Sequence, residues 1–147
     1  MDFKPVWEAM EVYIGTEFSG TPAAWTYAKL CAGIEGLTPN FNETNVQNWF
    51  MCGEGFAYNS VTGAAPEIAV TGKRAQGDTA QDYIAGLQWV VGTARESSVK
   101  IVAYGKQIVA PCVIGDINVM GGNATDLNNF SCTIRLNGKP TVTDVQA

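Results

Sequence analysis

Residues 56–92 read FAYNSVTGAAPEIAVTGKRAQGDTAQDYIAGLQWVVG and predict a strand, a turn and one amphipathic helix. Val61, Ile68 and Val70 stand among Thr and Ala, which is typical of an extended, half-buried segment. Asp78 precedes Gln81 at capping-box spacing, so each side chain is expected to bond a free backbone N–H of the first helical turn. Apolar residues then recur at helical spacing and predict the face that meets the core, namely Ala80, Tyr83, Ile84, Leu87, Val90 and Val91.

Segments on both sides of this helix predict strands. Residues 12–15, 25–30, 99–104 and 108–120 are strand-like, and Ser19–Pro22 is a turn. The clearest strand is 130–136, where apolar and polar residues alternate strictly, and Asn137-Gly138 after it favours a tight turn. We therefore expect a mainly β (α+β) fold with one packed helix, in a single domain spanning residues 1–147. Residues 139–147 are either a short returning strand or an arm.

Residues 38–62 form a long polar stretch that contains an unusual number of aromatic residues. Disordered segments are poor in aromatic residues, so this long inter-strand loop is expected to be ordered. Two alternatives remain: the loop folds back onto its own domain, or it docks on another subunit. The residues proposed for docking are Phe41, Trp49, Phe50, Phe56 and Tyr58.

The overall composition has little charge and an acidic balance. Charged residues make up 16% of the 147 residues, and the formal net charge is −5 with no histidine. Low charge suggests that other subunits cover much of the surface. An acidic protein is poorly suited to gripping nucleic acid, although an anionic wall would prevent nucleic acid from sticking as it passes.

The side chains needed for catalysis or metal binding are not arranged in any recognisable pattern. The absence of histidine removes the usual imidazole base and imidazole metal ligands. The cysteines, Cys31, Cys52, Cys112 and Cys132, form no CxxC pair, which argues against zinc. We expect no enzyme activity, no catalytic residues, no cofactor and no metal. No apolar run suits a signal peptide or a membrane span, so no membrane partner is expected.

Three blocks, in this order, resemble the tail tube proteins of long-tailed bacteriophages, especially phages of Gram-positive hosts. They are VYIGTEFSGT with WTYAKLCAGIEGLTPNFNE, then EGFAYNSVTGAAPEIAVTGKRAQGDTAQDYI, and finally DINVMGGNATDLNNFSCTIRLNGKPT. The resemblance covers roughly residues 12–143. Residues 1–11 match nothing in the family and are interpreted as a possible N-terminal arm.

The resemblance implies a β-sandwich or barrel-like tail tube fold, with subunits in six-membered rings that stack into a DNA-conducting tube. It implies that the loop at 38–62 makes the ring-to-ring contact. The expected partners are other copies of the chain, the tape measure, tail terminator and baseplate or distal tail proteins, and viral DNA that passes without specific binding. The expected location is the virion tail, after assembly in the cytoplasm of the bacterial host. Alternatives are the inner tube of a contractile tail-like particle and a monomeric β-sandwich recognition module that binds carbohydrate or mediates adhesion.

A tube that conducts DNA is expected to have an inner wall that repels phosphate weakly. The carboxylates proposed for that wall are Glu35, Glu67, Asp116 and Asp126. The basic residues Lys73, Arg74 and Arg135 are then expected to pair mostly with carboxylates of neighbouring subunits.

Overall fold

The computed structural model describes residues 1–20 and 23–145 and is mainly β, as predicted. Two short 3₁₀ turns lie at Met51–Gly53 and Gly92–Arg95. The helices are α1 (Val6–Ala9) and α2 (Thr79–Gly86). The strands are β1 (Met10–Gly20), β2 (Ala23–Lys29), β3 (Ile34–Asn40), β4 (Thr44–Trp49), β5 (Ala57–Gly63), β6 (Glu67–Lys73), β7 (Glu96–Ala103), β8 (Lys106–Asn118), β9 (Asn129–Leu136) and β10 (Thr141–Asp144).

Eight of the strands form one antiparallel sheet. Seven of them follow the order β2-β1-β7-β8-β9-β6-β3, and β10 joins the sheet beside β8. The long strand β8 has different partners along its length, because β10 pairs with residues 106–109 and β9 pairs with residues 112–118. The other two strands, β4 and β5, pair with each other as a separate hairpin.

The large sheet is rolled into a barrel-like shape because its two end strands are consecutive in the chain. Six strand spacings of about 4.8 Å would hold β2 and β3 roughly 29 Å apart in a flat sheet. The connection from Lys29 to Ile34 spans at most about 17 Å. The register shows that the two end strands are also staggered along β8. The pairs through β1 and β7 align Lys29 of β2 with Val109 of β8, whereas the pairs through β6 and β9 bring Ile34 of β3 near Asn118 of β8. A rolled sheet needs such a stagger to close.

The core fills the inside of this rolled sheet. Its side chains come from alternate positions of the strands, as the period-2 pattern of β9 predicts. The helix α2 packs against β1, β2 and β8. The buried apolar residues are Val12, Ile14, Leu30, Ile68, Val70, Ala80, Ile84, Leu87, Val99, Ile101, Ala110, Cys112, Ile114, Phe130, Cys132 and Ile134.

The start of α2 differs from the expected reciprocal capping box. Asp78 caps the helix, because its side chain accepts a hydrogen bond from the Gln81 N–H at 3.2 Å. The Gln81 side chain does not return this bond. It is fully buried, and its Nε2 donates to the carbonyls of Ala32 (2.7 Å) and Lys73 (3.0 Å). Its Oε1 accepts from the Ala75 N–H at 2.8 Å. Gln81 therefore joins α2, the β2–β3 connection and the end of β6.

The predicted apolar face of α2 is too long. Ala80, Ile84 and Leu87 are buried and Tyr83 is half-buried, but Val91 is 83% exposed. The helix ends at Gly86, so Val91 no longer follows its periodicity. Gly92 then takes a positive φ of 84° and turns the chain into the 3₁₀ turn before β7.

Three other segments are clearer in the structure than in the sequence. The possible N-terminal arm contains α1, and β1 already begins at Met10. The loop at 38–62 is the end of β3 followed by most of the β4–β5 hairpin. The C-terminal segment returns as β10 beside β8, while residues 146 and 147 lie outside the described residues. The turn expected at Ser19–Pro22 lies partly outside them too, at Thr21 and Pro22.

Replacing Gln81 with leucine is expected to lower the free energy of unfolding by about 1–3 kcal/mol. The substitution removes the hydrogen-bond partner of the Ala32 and Lys73 carbonyls and of the Ala75 N–H, and water can replace it most easily at Ala32, which is an exposed residue. Gln88→Leu is the matched control, since Gln88 is only half-buried and should change stability by a few tenths of a kcal/mol. Urea unfolding followed by circular dichroism measures both, and equal stabilities of the two variants would contradict this role of Gln81.

Candidate assembly surfaces

The β4–β5 hairpin leaves the rolled sheet at a narrow base. The Ala65 N–H donates to the Phe41 carbonyl at 2.8 Å, and Asn42 Nδ2 donates to the Ala65 carbonyl at 3.0 Å. Asn42 itself has a positive φ of 46°, which turns the chain from β3 into the hairpin. At the far end, the 3₁₀ turn at Met51–Gly53 reverses direction. The two hydrogen bonds of Ala65 at the base fix the point at which the hairpin leaves the sheet.

Both faces of the hairpin carry exposed apolar side chains. The five aromatic residues singled out from the sequence, Phe41, Trp49, Phe50, Phe56 and Tyr58, are 59–80% exposed. One face presents Val46, Phe50 and Tyr58, with the rings of Phe50 and Tyr58 at a centroid distance of 5.9 Å.

The opposite face presents Trp49 and Val61. The sequence interpretation missed Val46 and Val61 as exposed residues, because their faces follow from the β4–β5 register, and it missed Met51, which is exposed in the turn between the two strands. A two-stranded hairpin is marginal in water without a covered face. The hairpin is therefore a candidate docking element.

A second candidate surface is an apolar pocket of about 230 Å³ where α1, the start of β1 and the β2–β3 connection meet. Its walls include Val6, Trp7, Leu30, Ile34 and Leu37. Trp7 lines the pocket and is nevertheless largely exposed. Sequence reasoning did not find this pocket, because its walls come together only when the sheet rolls up.

The polar side of this pocket contains an ion pair. Glu11 accepts hydrogen bonds from the Tyr13 hydroxyl (2.9 Å) and from Lys29 Nζ (3.2 Å). These bonds lower the pKa of Glu11, with the Tyr13 bond as the largest cause. The ammonium of Lys100 lies 4.5 Å from the Tyr13 ring centroid and 4.9 Å from that of Tyr27. This outer face of β1, β2 and β7 is thus a mixed-charge surface.

Two of the four carboxylates proposed for an inner wall share one arginine. Arg135 Nη2 contacts Asp116 at 2.7 Å, and Arg135 Nε lies 3.4 Å from Glu67. The Arg135 hydrogen bond lowers the pKa of Asp116. Asp116 sits at the β8 bulge with a positive φ of 51°, and a Cβ at Gly115 would collide with the Arg135 guanidinium. The cluster holds two carboxylates and one guanidinium, and so one net negative charge.

The other two candidate carboxylates lie apart from this cluster. Glu35 is exposed on β3 and lines the apolar pocket. Asp126 is exposed in the turn after β8 and accepts a hydrogen bond from the Asn123 N–H at 3.2 Å. The structure brings Glu67 and Asp116 together and leaves Glu35 and Asp126 separate.

The basic residues Lys73, Arg74 and Arg135 have partners within the chain, and their expected pairing with carboxylates of neighbouring subunits stays a prediction. Arg74 contacts Asp82 at 2.7 Å, and Arg135 contacts Glu67 and Asp116. Lys73 Nζ donates to Asn129 Oδ1 at 2.8 Å. The reason is local: β6 pairs with β9, so Lys73 lies beside Asn129 and Glu67 beside Arg135.

The four cysteines divide into two environments. Cys31, in the pocket wall, and Cys52, at the hairpin end, are exposed. Cys112 and Cys132 are buried in the core, where desolvation raises the pKa of each thiol to about 12. Within residues 1–20 and 23–145, no group of three or more metal-ligating side chains comes together. Over the same ranges, no helix has the length and apolar character needed to cross a bilayer.

The rolled sheet, the packed helix and the protruding hairpin define the class: the chain has the β-rich fold of phage-tail-tube-like proteins. A chain from the tail of an empty gene transfer agent (GTA) particle, determined with C6 symmetry, superposes with a TM-score of 0.73 at 12% identity. The match covers 96% of this chain and 99% of that one.

Two further structures share the fold. A chain from the tube-terminating cap of the anti-feeding prophage gives a TM-score of 0.63 at 10% identity, over 99% of this chain and 94% of that one. A chain from the native GTA virion gives 0.62 at 12% identity, over 92% and 96%. At the level of sequence, neither a protein-family model nor a curated protein matches.

Thiol labelling is expected to separate the two pairs of cysteines. At pH 8, Cys31 and Cys52 of the folded protein should react quickly with a maleimide, because their thiols are accessible. Cys112 and Cys132 should react only after unfolding, since burial both shields them and raises their pKa. Intact-mass spectrometry counts the labels, and four rapid additions to the native protein would contradict the buried positions.

Proposed function

We propose that this protein is the structural subunit of a tail tube and assembles into six-membered rings that stack into a hollow conduit for DNA. The observation that carries the proposal is a fold shared over nearly the whole length of a chain from a particle tail with C6 symmetry. The exposed aromatic hairpin supports it, because a self-assembling subunit needs apolar surface that only other copies cover.

The finer expectations belong to the same proposal. The three sequence blocks support a relation to tail tubes of phages of Gram-positive hosts. The partners would be further copies of the chain together with the tape measure, terminator and baseplate or distal tail proteins. The subunit would be made in the cytoplasm of the bacterial host, reside in the virion tail, and have no catalytic role.

A second candidate is the inner tube of a contractile particle. The structural similarity to the cap of the anti-feeding prophage favours it, as does a TM-score of 0.55 at 13% identity to a chain described as a sheath/tube terminator of an extracellular contractile injection system. Both candidates have the same rings and stacking. They differ in whether a sheath surrounds the tube, so electron microscopy of the native particle separates them.

We propose that the hairpin makes the contact between successive rings. Replacing Trp49, Phe50 and Phe56 together with serine is expected to preserve the folded body, because β4 and β5 pair only with each other. It should shift the protein from long tubes to single rings or monomers, since aromatic anchors dominate interface energetics. Trp89→Ser is the control, as Trp89 is even more exposed, at 83%, but lies outside the hairpin.

Negative-stain microscopy and sedimentation velocity measure this outcome. Long tubes formed by the triple variant would place the stacking contact elsewhere. A wild-type protein that stays monomeric at high concentration would favour the monomeric recognition module instead.

We propose that the inner wall is net negative and lets DNA slide. Glu67 and Asp116 retain one net negative charge around Arg135, and Asp126 adds an exposed carboxylate, whereas Glu35 lines the apolar pocket and is left out of this wall. An attraction repeated in every ring would multiply along the tube and stall the passing DNA, so weak repulsion suits a conduit.

Assembled tubes are therefore expected not to retain linear duplex DNA at physiological salt. Cosedimentation of labelled DNA with tubes tests this, with a polycation-coated particle as the positive control. Retention that weakens steeply with added salt would reveal phosphate contacts and contradict a repulsive wall.

A further inference from the structure

The hairpin and the apolar pocket lie at opposite ends of β3. The pocket wall uses Ile34 from the start of the strand and Leu37 from its middle, while the hairpin leaves after Asn40, the last residue. The strand itself spans about 20 Å between these ends. A protruding element at one end and a cavity at the other is the arrangement needed for repeated head-to-tail contact.

The pocket has room for an aromatic ring. Its volume is about 230 Å³, and apolar cavities of about 150 Å³ are known to bind benzene. Val6, Ile34 and Leu37 supply apolar walls, and Trp7 stands at the pocket with most of its surface in solvent. A ring that enters the pocket would therefore also cover Trp7.

The hairpin offers enough surface to match. Trp49, Phe50, Phe56 and Tyr58 are 59–80% exposed, and four such side chains hold roughly 400–650 Å² of buriable area. A stable interface buries about 800 Å² on each partner, and because Trp49 lies on the face opposite to Phe50 and Tyr58, the pocket and the surface around it must enclose the end of the hairpin to cover this area.

We infer that the aromatic end of the hairpin of one copy inserts into the pocket of the next copy along the tube. The inference rests on the proposed stacking function and names its receiving surface. The inserting and receiving surfaces differ, so the contact is heterologous and adds copies without limit in one direction. The receiving surface consists of α1, the start of β1 and the β2–β3 connection.

Two native cysteines allow this contact to be tested by chemical cross-linking. Cys52 lies at the hairpin end, between Phe50 and Phe56 in the sequence, and Cys31 lies in the pocket wall. Insertion brings Cys52 of one copy close to Cys31 of the next. A short bismaleimide should link them by two thiol additions, each placing sulfur on one alkene carbon and a proton on the other, without any oxidant.

The cross-linking experiment uses assembled full-length tubes. The expected product is a ladder of covalent multimers in denaturing gels, with a Cys31–Cys52 peptide pair identified by mass spectrometry. Tubes assembled from Cys31→Ser or from Cys52→Ser should each lose the ladder. Cys112 and Cys132 stay unlabelled in the folded protein and do not confuse the pattern.

Filling the pocket tests the same inference without cross-linking. Cys31→Trp places a ring where the neighbouring hairpin would enter and is expected to reduce tube length at least tenfold while rings persist. Thr125→Trp adds the same ring at an exposed position outside the pocket and the hairpin, and it should leave tube length unchanged. Circular dichroism and a preserved ring population show that the tryptophan variant is folded.

The outcomes distinguish a failure of the proposed tube function from a failure of the inferred receiving surface. Wild-type protein that forms no rings or tubes overturns the tube function itself. Tubes that yield a Cys52–Cys52 product, or tubes that grow normally from Cys31→Trp, overturn the pocket as the receiving surface and leave the tube function standing.

Discussion

The buried amide of Gln81 holds the rolled sheet closed. The two end strands β2 and β3 are joined by a short connection, and that connection must be fixed against the end of β6 for the core to be enclosed. Gln81 does this with donors to Ala32 and Lys73 and an acceptor for Ala75. The Lys73 N–H adds a bond to the Gly33 carbonyl at 2.7 Å. The Gln81 amide is fully buried and therefore needs these partners, so its position constrains the connection and the end of β6 together.

Glycine makes this close crossing possible. Gly33 takes a positive φ of 74°, and a side chain there would collide with the Lys73 carbonyl. A side chain at Gly72 would collide with the Gly33 carbonyl. The two backbones therefore approach at a distance that only glycine permits, and Gln81 occupies the remaining polar space beside them.

The sequence predicted those features that depend on local pattern. The strict alternation of 130–136 located β9, and Asp78 marked the start of α2 because capping is a short-range interaction. The closure could not be predicted, since Gln81 finds Ala32 across 49 positions of the chain. The β4–β5 hairpin was also missed as a structural element. Its two faces both mix polar and apolar residues, so neither shows the alternation of a half-buried strand.

The candidate surfaces show the same division between local and long-range information. Aromatic residues in a polar stretch pointed to the hairpin, because composition alone indicates an interface there. The pocket required the rolled sheet, which places residues near Trp7 beside residues near Leu37. The Glu67–Arg135–Asp116 cluster required the β6–β9–β8 register and the bulge at Gly115. The residues that meet in the pocket and in the cluster come from segments that are far apart in the sequence.

The residues that form the core and the residues proposed for assembly belong to different parts of the molecule. Strand β3 connects the two parts. The core is complete without β4 and β5, so the hairpin can carry exposed apolar surface without weakening the body. Both candidate surfaces nevertheless depend on where β3 lies, because the hairpin leaves from its end and the pocket wall contains its start. The β2–β3 connection that Gln81 holds leads directly into that strand. One buried amide therefore sets the position of the protruding surface and of the surface inferred to receive it.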